Sequence, residues 1–231
     1  MEKISFLSQY RKEVKLVNVK KLENGLKETI PKQWLEIISE EDKNLRVEKT
    51  LELWKSLFNK ELSNSILYLS ANLIDVELIV DNGIFTILYS IHDPQGNYMY
   101  YEGGLPGQNI KNSNLRPFWE DTPDKLRSFY EKLHDGFYYF PSRAMGLVSL
   151  SDATFFEDDE WGIIDELEEP IKINLRKTFG FFENGMGGYL AVDLENCKND
   201  NATLWFTDDQ PEYEVNFWDV ADEWLLIGFE E

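Results

Sequence analysis

The feature that constrains the fold most is a pair of β-rich runs joined by three turn residues. Residues 75–80 and 84–91 are rich in β-branched and aromatic side chains, and Asp81-Asn82-Gly83 separates them. Asn-Gly between two such runs favours a tight turn, because both residues tolerate a positive φ. The spacing therefore predicts an antiparallel β-hairpin in the first half of the chain.

The sixty or so residues before this hairpin have the apolar spacing of helices. A first helical segment ends at Gly25, and Pro31 suits the first position of a second helix. Residues 45–62 predict a third helix, with apolar side chains three to four residues apart. The apolar residues that define the first segment are Phe6, Leu7, Tyr10, Val14 and Val17.

The chain after the hairpin predicts more strands and two more helices. Thr122 as the N-cap and Pro123 at the first position predict a helix that Gly136 ends. Asn216 is expected to cap a last helix. Helices, then an antiparallel sheet, then a closing helix define an α+β fold with the sheet flanked by helices. Strands are expected over residues 98–101, 145–150, 177–182, 188–194 and 202–206.

The loop over residues 103–114 is the best internal boundary, because Gly and Pro interrupt the pattern there. We predict an N-terminal helical and β-hairpin region over residues 1–121. A second α+β region is predicted over residues 122–231. The first region is interpreted as an extension packed on the main domain, and its role stays open.

Composition restricts the class of protein. The 231 residues are 42% hydrophobic and 14% aromatic, which predicts a folded core. A single cysteine, Cys197, excludes an intrachain disulfide. The first residues lack the apolar run of a signal peptide, and no apolar run reaches the length of a membrane span. The expected location is the cytoplasm, with no membrane partner.

Negative charge is concentrated in the second half of the chain. Residues 1–115 hold 14 Lys/Arg against 16 Asp/Glu, whereas residues 116–231 hold 9 against 27. A surface this acidic repels nucleic acid and attracts a basic partner. Solubility alone explains the acidity of many proteins, but it does not explain the asymmetry.

Three patterns could indicate an enzyme, and each of them is weak. Residues 185–188 are glycine-rich but lack the Lys-Ser/Thr of a phosphate loop, so a hairpin turn explains them better. His92 and His134 lie in no zinc-ligand spacing, and no G-x-S-x-G motif is present. Neighbouring carboxylates arise by chance among 43 acidic residues. The sequence therefore predicts no catalytic residue, no cofactor and no metal site.

Aromatic side chains beside acidic runs favour protein binding instead. At interfaces, aromatic residues act as anchors, while charge speeds encounter and selects the partner. Trp161 and Tyr213 are the predicted anchors. The alternative is a set of solvated loops around a core tryptophan, and the sequence leaves both interpretations open. The predicted steering carboxylates are Glu157, Asp158, Asp159, Asp208, Asp209 and Glu212.

Three segments in a fixed order carry a resemblance to a known family. They are the helix over residues 123–130 with Gly136-Phe137, the strand–turn–strand over 181–193, and Trp205-Phe206 followed by 214–217. The second segment contains the N-G-x-G turn Asn184-Gly185-Met186-Gly187. With these features, residues 122–231 resemble the SUKH superfamily, the Smi/Knr-type family of bacterial immunity proteins.

The resemblance implies an antitoxin used in bacterial competition. Such a protein binds a cognate toxin, often a nuclease, and neutralises it by occupying it, with no catalytic residues of its own. The partner expected here is a basic protein toxin, with no nucleic acid involved. Two alternatives stay open. One is a non-catalytic regulatory or scaffold protein, as some family members are. The other is a carboxylate-dependent hydrolase, which needs two facing carboxylates in an enclosed cleft.

Overall fold

One antiparallel sheet forms the centre of the protein. The computed structural model describes residues 3–107, 110–158, 161 and 164–230. Its strands in this described part are β1 Lys15–Leu16, β2 Leu73–Asp81, β3 Ile84–His92, β4 Tyr98–Gly104, β5 Phe137–Tyr139, β6 Gly146–Leu147, β7 Thr154–Phe155, β8 Thr178–Glu183, β9 Gly188–Asp193, β10 Asn201–Phe206 and β11 Glu212–Asn216. These eleven strands pair in chain order, except that both β6 and β7 pair with β8.

The predicted hairpin is confirmed as β2 and β3. Asp81 pairs with Ile84, and the two residues between them have positive φ: 49° at Asn82 and 81° at Gly83. These angles match the right-handed twist of the strands, which is why Asn-Gly is favoured there. The hairpin pairs onward through β4 to β5, so the sheet is continuous past residue 121. The division into regions 1–121 and 122–231 stays a prediction.

Helices cover one face of the sheet, here called the helix face, and helix α1 (Lys3–Tyr10) covers part of the other, the back face. Alternation along β3 separates the two, because Ile87 and Tyr89 belong to the main core while Leu88 belongs to the cluster under α1. The α+β prediction is confirmed. The helices are α1 Lys3–Tyr10, α2 Asn24–Lys27, α3 Lys32–Ile38, α4 Lys43–Phe58, α5 Ser63–Asn72, α6 Asp124–Ser128 and α7 Phe217–Glu230.

Several local predictions differ from the structure. The first helix ends at Tyr10 instead of continuing to Gly25, because Lys15–Leu16 pairs with β2 as an edge strand. Helix α5 and strand β11 were not predicted. Thr122 does not cap α6, since Pro123 holds the N-cap position and no side chain bonds there. Asn216 does cap α7, with Oδ1 accepting from Trp218 N at 2.9 Å.

The N-terminus of α5 is closed by a side chain from α7. The α5 N-cap is Leu62, which supplies no side-chain hydrogen bond. Asp222, which is buried, accepts instead from Asn64 N at 2.9 Å, from Ser65 N at 2.8 Å and from Ser65 Oγ at 2.6 Å. A carboxylate at this position also suits the positive end of the helix dipole. Two helices distant in sequence are thereby fixed to each other.

A chain of buried hydrogen bonds fixes the helical layer to the sheet. Trp54 Nε1–H donates to Tyr89 Oη at 2.9 Å, and Tyr89 Oη lies 2.8 Å from His134 Nε2. His134 Nδ1 lies 2.9 Å from the Gly104 carbonyl, which can only accept, so Nδ1 carries the proton and Nε2 accepts from Tyr89. Burial lowers the pKa of His134 to about 3.

The neutral imidazole predicts a pH dependence of stability. The unfolded chain takes up a proton on His134 below its ordinary pKa of 6.5, whereas the folded protein does so only near 3. The free energy of unfolding should therefore fall as pH decreases through this window, by up to about 1.4 kcal/mol per pH unit. Urea unfolding between about pH 7 and pH 5 measures it. A His92→Gln variant removes the second histidine and should keep the slope; a flat response in that variant contradicts the prediction.

Candidate protein-binding surface

Two tryptophans stack on the back face near the end of the sheet. The ring centroids of Trp161 and Trp205 lie 4.3 Å apart with planes 13° from parallel. Trp161 is 8% exposed, and its Nε1–H donates to the Phe156 carbonyl at 2.8 Å. The structure favours the alternative of a core tryptophan, because Trp161 presents little surface to a partner.

The segment after Trp161 folds back onto the sheet through spaced apolar residues. These residues pack around Trp205 and Tyr189, although acidic residues separate them in sequence. Their recurrence is a sequence signal for a segment with one buried side, which the predictions above missed. The packed residues are Ile164, Leu167, Ile171, Ile173 and Leu175.

The stack lies beside two acidic segments, the described residues of 157–169 and residues 208–214. Trp205 Nε1–H donates to the Asp209 carbonyl at 3.0 Å, which fixes the turn after β10. Gln210 accepts from Glu169 N at 3.2 Å through Oε1, and its Nε2 donates to the Glu169 carbonyl at 3.3 Å. We call the exposed carboxylates of these two segments the acidic face. Its described members are Glu157, Asp158, Asp165, Glu166, Glu168, Glu169, Asp208, Asp209, Glu212 and Glu214.

Ion pairs neutralise only part of the acidic face. Glu157 pairs with Arg176 at 2.7 Å and Glu169 pairs with Lys172 at 2.8 Å. The hydrogen bond from Lys172 lowers the pKa of Glu169, so this carboxylate stays ionised. Within the described residues, no ion pair engages the other eight members of the face, so the surface keeps a large negative charge.

The remaining predicted residues have different environments. Tyr213 is half-buried at the rim, where its hydroxyl accepts from Lys172 N at 3.2 Å and Lys172 Nζ lies 5.2 Å from its ring. Asp158 is exposed and accepts from Asn114 Nδ2 at 2.9 Å. Asp208 and Glu212 are exposed. The predicted steering residue Asp159 lies outside the described residues.

Two cavities of the described part bear on the hydrolase alternative. Beside Tyr213 lies a cavity of 70 Å³, room for about two waters. A cavity of 410 Å³ is lined by Glu40, but a hydrogen bond from Lys49 lowers the pKa of Glu40. A general acid needs the opposite shift. Burial raises the pKa values of Asp135 and Asp200, and neither lines that cavity.

Searches for a metal site and a membrane span gave no candidate among the residues with described positions. No group of three or more His, Cys, Asp or Glu there has the geometry to hold a metal ion. Over the same residues, no helix combines the length and the apolar character needed to cross a membrane. Lone Cys197 is partly buried, and burial raises the pKa of its thiol.

The comparisons with known proteins leave the family open. No protein-family model, curated protein or solved structure matches this chain. The likeness of residues 122–231 to the SUKH superfamily therefore stays a prediction that depends on its motifs. One of these motifs has a clear physical role, because Asn184 Oδ1 accepts from Met186 N and Gly188 N, each at 2.8 Å, and so shapes the β8–β9 turn.

The Trp161–Trp205 stack predicts a division of roles between core and surface. Trp161→Ala should lower the free energy of unfolding by about 3 kcal/mol, because a large buried ring is lost. Glu157→Gln should change it by less than about 0.5 kcal/mol, because the ion pair with Arg176 is exposed. Urea unfolding of both variants tests this. Equal effects of the two substitutions would contradict the packing described above.

Proposed function

We propose that the protein is an immunity protein that binds and neutralises a cognate bacterial toxin through its acidic face. One observation carries the proposal: two acidic segments distant in sequence lie side by side on a buried tryptophan stack. A charge cluster that served only solubility would not need to be held in place by a buried tryptophan stack. The motif resemblance of residues 122–231 supports the same role.

The chemistry of the surface favours a basic partner. Toxins that act on nucleic acid have positive grooves for phosphate, and clustered carboxylates can occupy such a groove in place of phosphate oxygens. Long-range attraction also speeds encounter, which matters when a toxin must be captured before it acts. Tyr213 is the candidate anchor, since its half-buried ring lies among the carboxylates at little further cost in side-chain entropy.

These carboxylates are suited to recognition because the two segments that carry them are held in place. Gln210 and Glu169 hold the two segments together by two hydrogen bonds, so the relative position of their charges is set before a partner arrives. Preorganisation lowers the ordering cost of binding and favours a partner with a matching array of cations.

Rescue from a toxin tests the function directly. Cells that express the toxin encoded beside this gene should survive when the protein is co-expressed. A variant in which the charge of the acidic face is reversed should protect the cells much less, because its attraction for a basic toxin is removed. The reversed residues are Glu157→Lys, Asp158→Lys, Asp208→Lys, Asp209→Lys and Glu212→Lys. Failure of the unaltered protein to protect, at confirmed expression, would end the proposal.

Association rates test the mechanism. With purified toxin, the reversed variant should associate at least about tenfold more slowly at low salt, and the rate of the unaltered protein should fall as salt rises. A control variant carries the same charge change on the N-terminal helices, at positions that are all exposed, and should associate nearly normally. Its substitutions are Glu23→Lys, Glu28→Lys, Glu36→Lys, Glu48→Lys and Glu52→Lys. A rate independent of salt and unchanged by reversal would refute steering by this face.

A further inference from the structure

Helix α7 has a row of apolar side chains that the core covers only in part. The row is spaced four and then three residues apart, so its members lie on one side of the helix. Ile227 is 41% exposed, and Val220 and Trp224 are partly exposed. Leu225 and Phe229, on the inner side, are buried completely. The row is therefore additional to the apolar stripe that holds α7 on the sheet.

This apolar row continues onto the sheet. The Trp224 ring lies 5.4 Å from Phe182 and 6.1 Å from Phe206, measured between centroids. Thr207 N donates to the Gly187 carbonyl at 3.0 Å, which places the β8–β9 turn beside the end of β10. Met186, in that turn, is 76% exposed. This exposed methionine therefore lies in a turn beside the end of β10 that carries Phe206.

A row of carboxylates runs beside the apolar row. Asp219, Glu223 and Glu230 are exposed, and residues 217–230 contain no Lys or Arg. Within the described ranges, no ion pair engages any of the three. Glu230 also lies at the C-terminal end of α7, where the helix dipole disfavours negative charge. A cation brought to this row would therefore be attracted by charges that the fold itself leaves uncompensated.

We propose that this surface of α7 docks a basic amphipathic helix of a partner protein. Apolar side chains of such a helix, spaced three and four residues apart, would cover Trp224 and Ile227, while its Lys and Arg side chains would face the acid row. The surface lies on the helix face of the sheet and the acidic face lies on the back face. The two sites can therefore be tested separately, and this inference does not depend on toxin neutralisation.

A synthetic peptide tests the docking surface. The probe is a fluorescein-labelled amphipathic peptide of about 18 residues, long enough to form a helix, with Leu on one side and Lys on the other. A scrambled peptide of identical composition is its control. Fluorescence anisotropy should show binding of the patterned peptide to the full chain, and Ile227→Glu or Glu223→Lys should weaken it at least about tenfold.

Two control variants separate the α7 surface from general effects. Glu52→Lys makes the same charge change on an exposed position of α4, and Leu67→Glu replaces an apolar residue that is 71% exposed on α5. Both should bind the patterned peptide normally, and circular dichroism should confirm that all four variants are folded. No binding of the patterned peptide, equal binding of the scrambled peptide, or equal weakening by the controls would overturn the proposal.

Discussion

The position of the helical layer on the sheet depends on the buried hydrogen bonds around His134. Through them α4 is linked to β3, and β3 to the backbone where β4 ends. The site has no spare room, because a Cβ at Gly103 would lie 2.4 Å from the imidazole ring. Trp34 adds a parallel link, since its Nε1–H donates to the Leu133 carbonyl at 2.8 Å. Polar groups buried this deeply are stabilising only when all of them are hydrogen-bonded. Because these bonds form in only one arrangement, the helices are held in one position on the sheet.

Local chemistry made the hairpin and the α7 cap predictable from sequence, whereas pairing between distant segments was not. Asn82-Gly83 and Asn216 act on their own backbone, within three residues. Strand β11 instead forms because β10 offers an edge, and α5 begins where a carboxylate from α7 reaches it. A sequence pattern carries no record of such partners, which is why the first helix was also extended too far.

For the candidate site, the sequence predicted where acidic residues gather but not how each aromatic ring packs. Acidity and aromatic residues were visible in residues 157–213, and in the structure Gln210 joins the segment of Glu169 to the turn after β10. Trp161 was predicted to face a partner, yet its stacking on Trp205 turns it inward. Whether an aromatic ring anchors a loop or a partner depends on what lies beneath it, and Trp205 is more than forty residues away in the chain. The acidic face is thus a product of the core under it.

The bond between Asp222 and Ser65 has a consequence for the order of assembly during synthesis. The two residues are 157 positions apart, so α5 leaves the ribosome long before its capping carboxylate is made. At typical rates of translation the interval is about 10–30 s. Through that time the first turn of α5 exposes amide groups that only water can satisfy. The cap of α5, and with it the fixed position of α5 against α7, can therefore form only after α7 has been made.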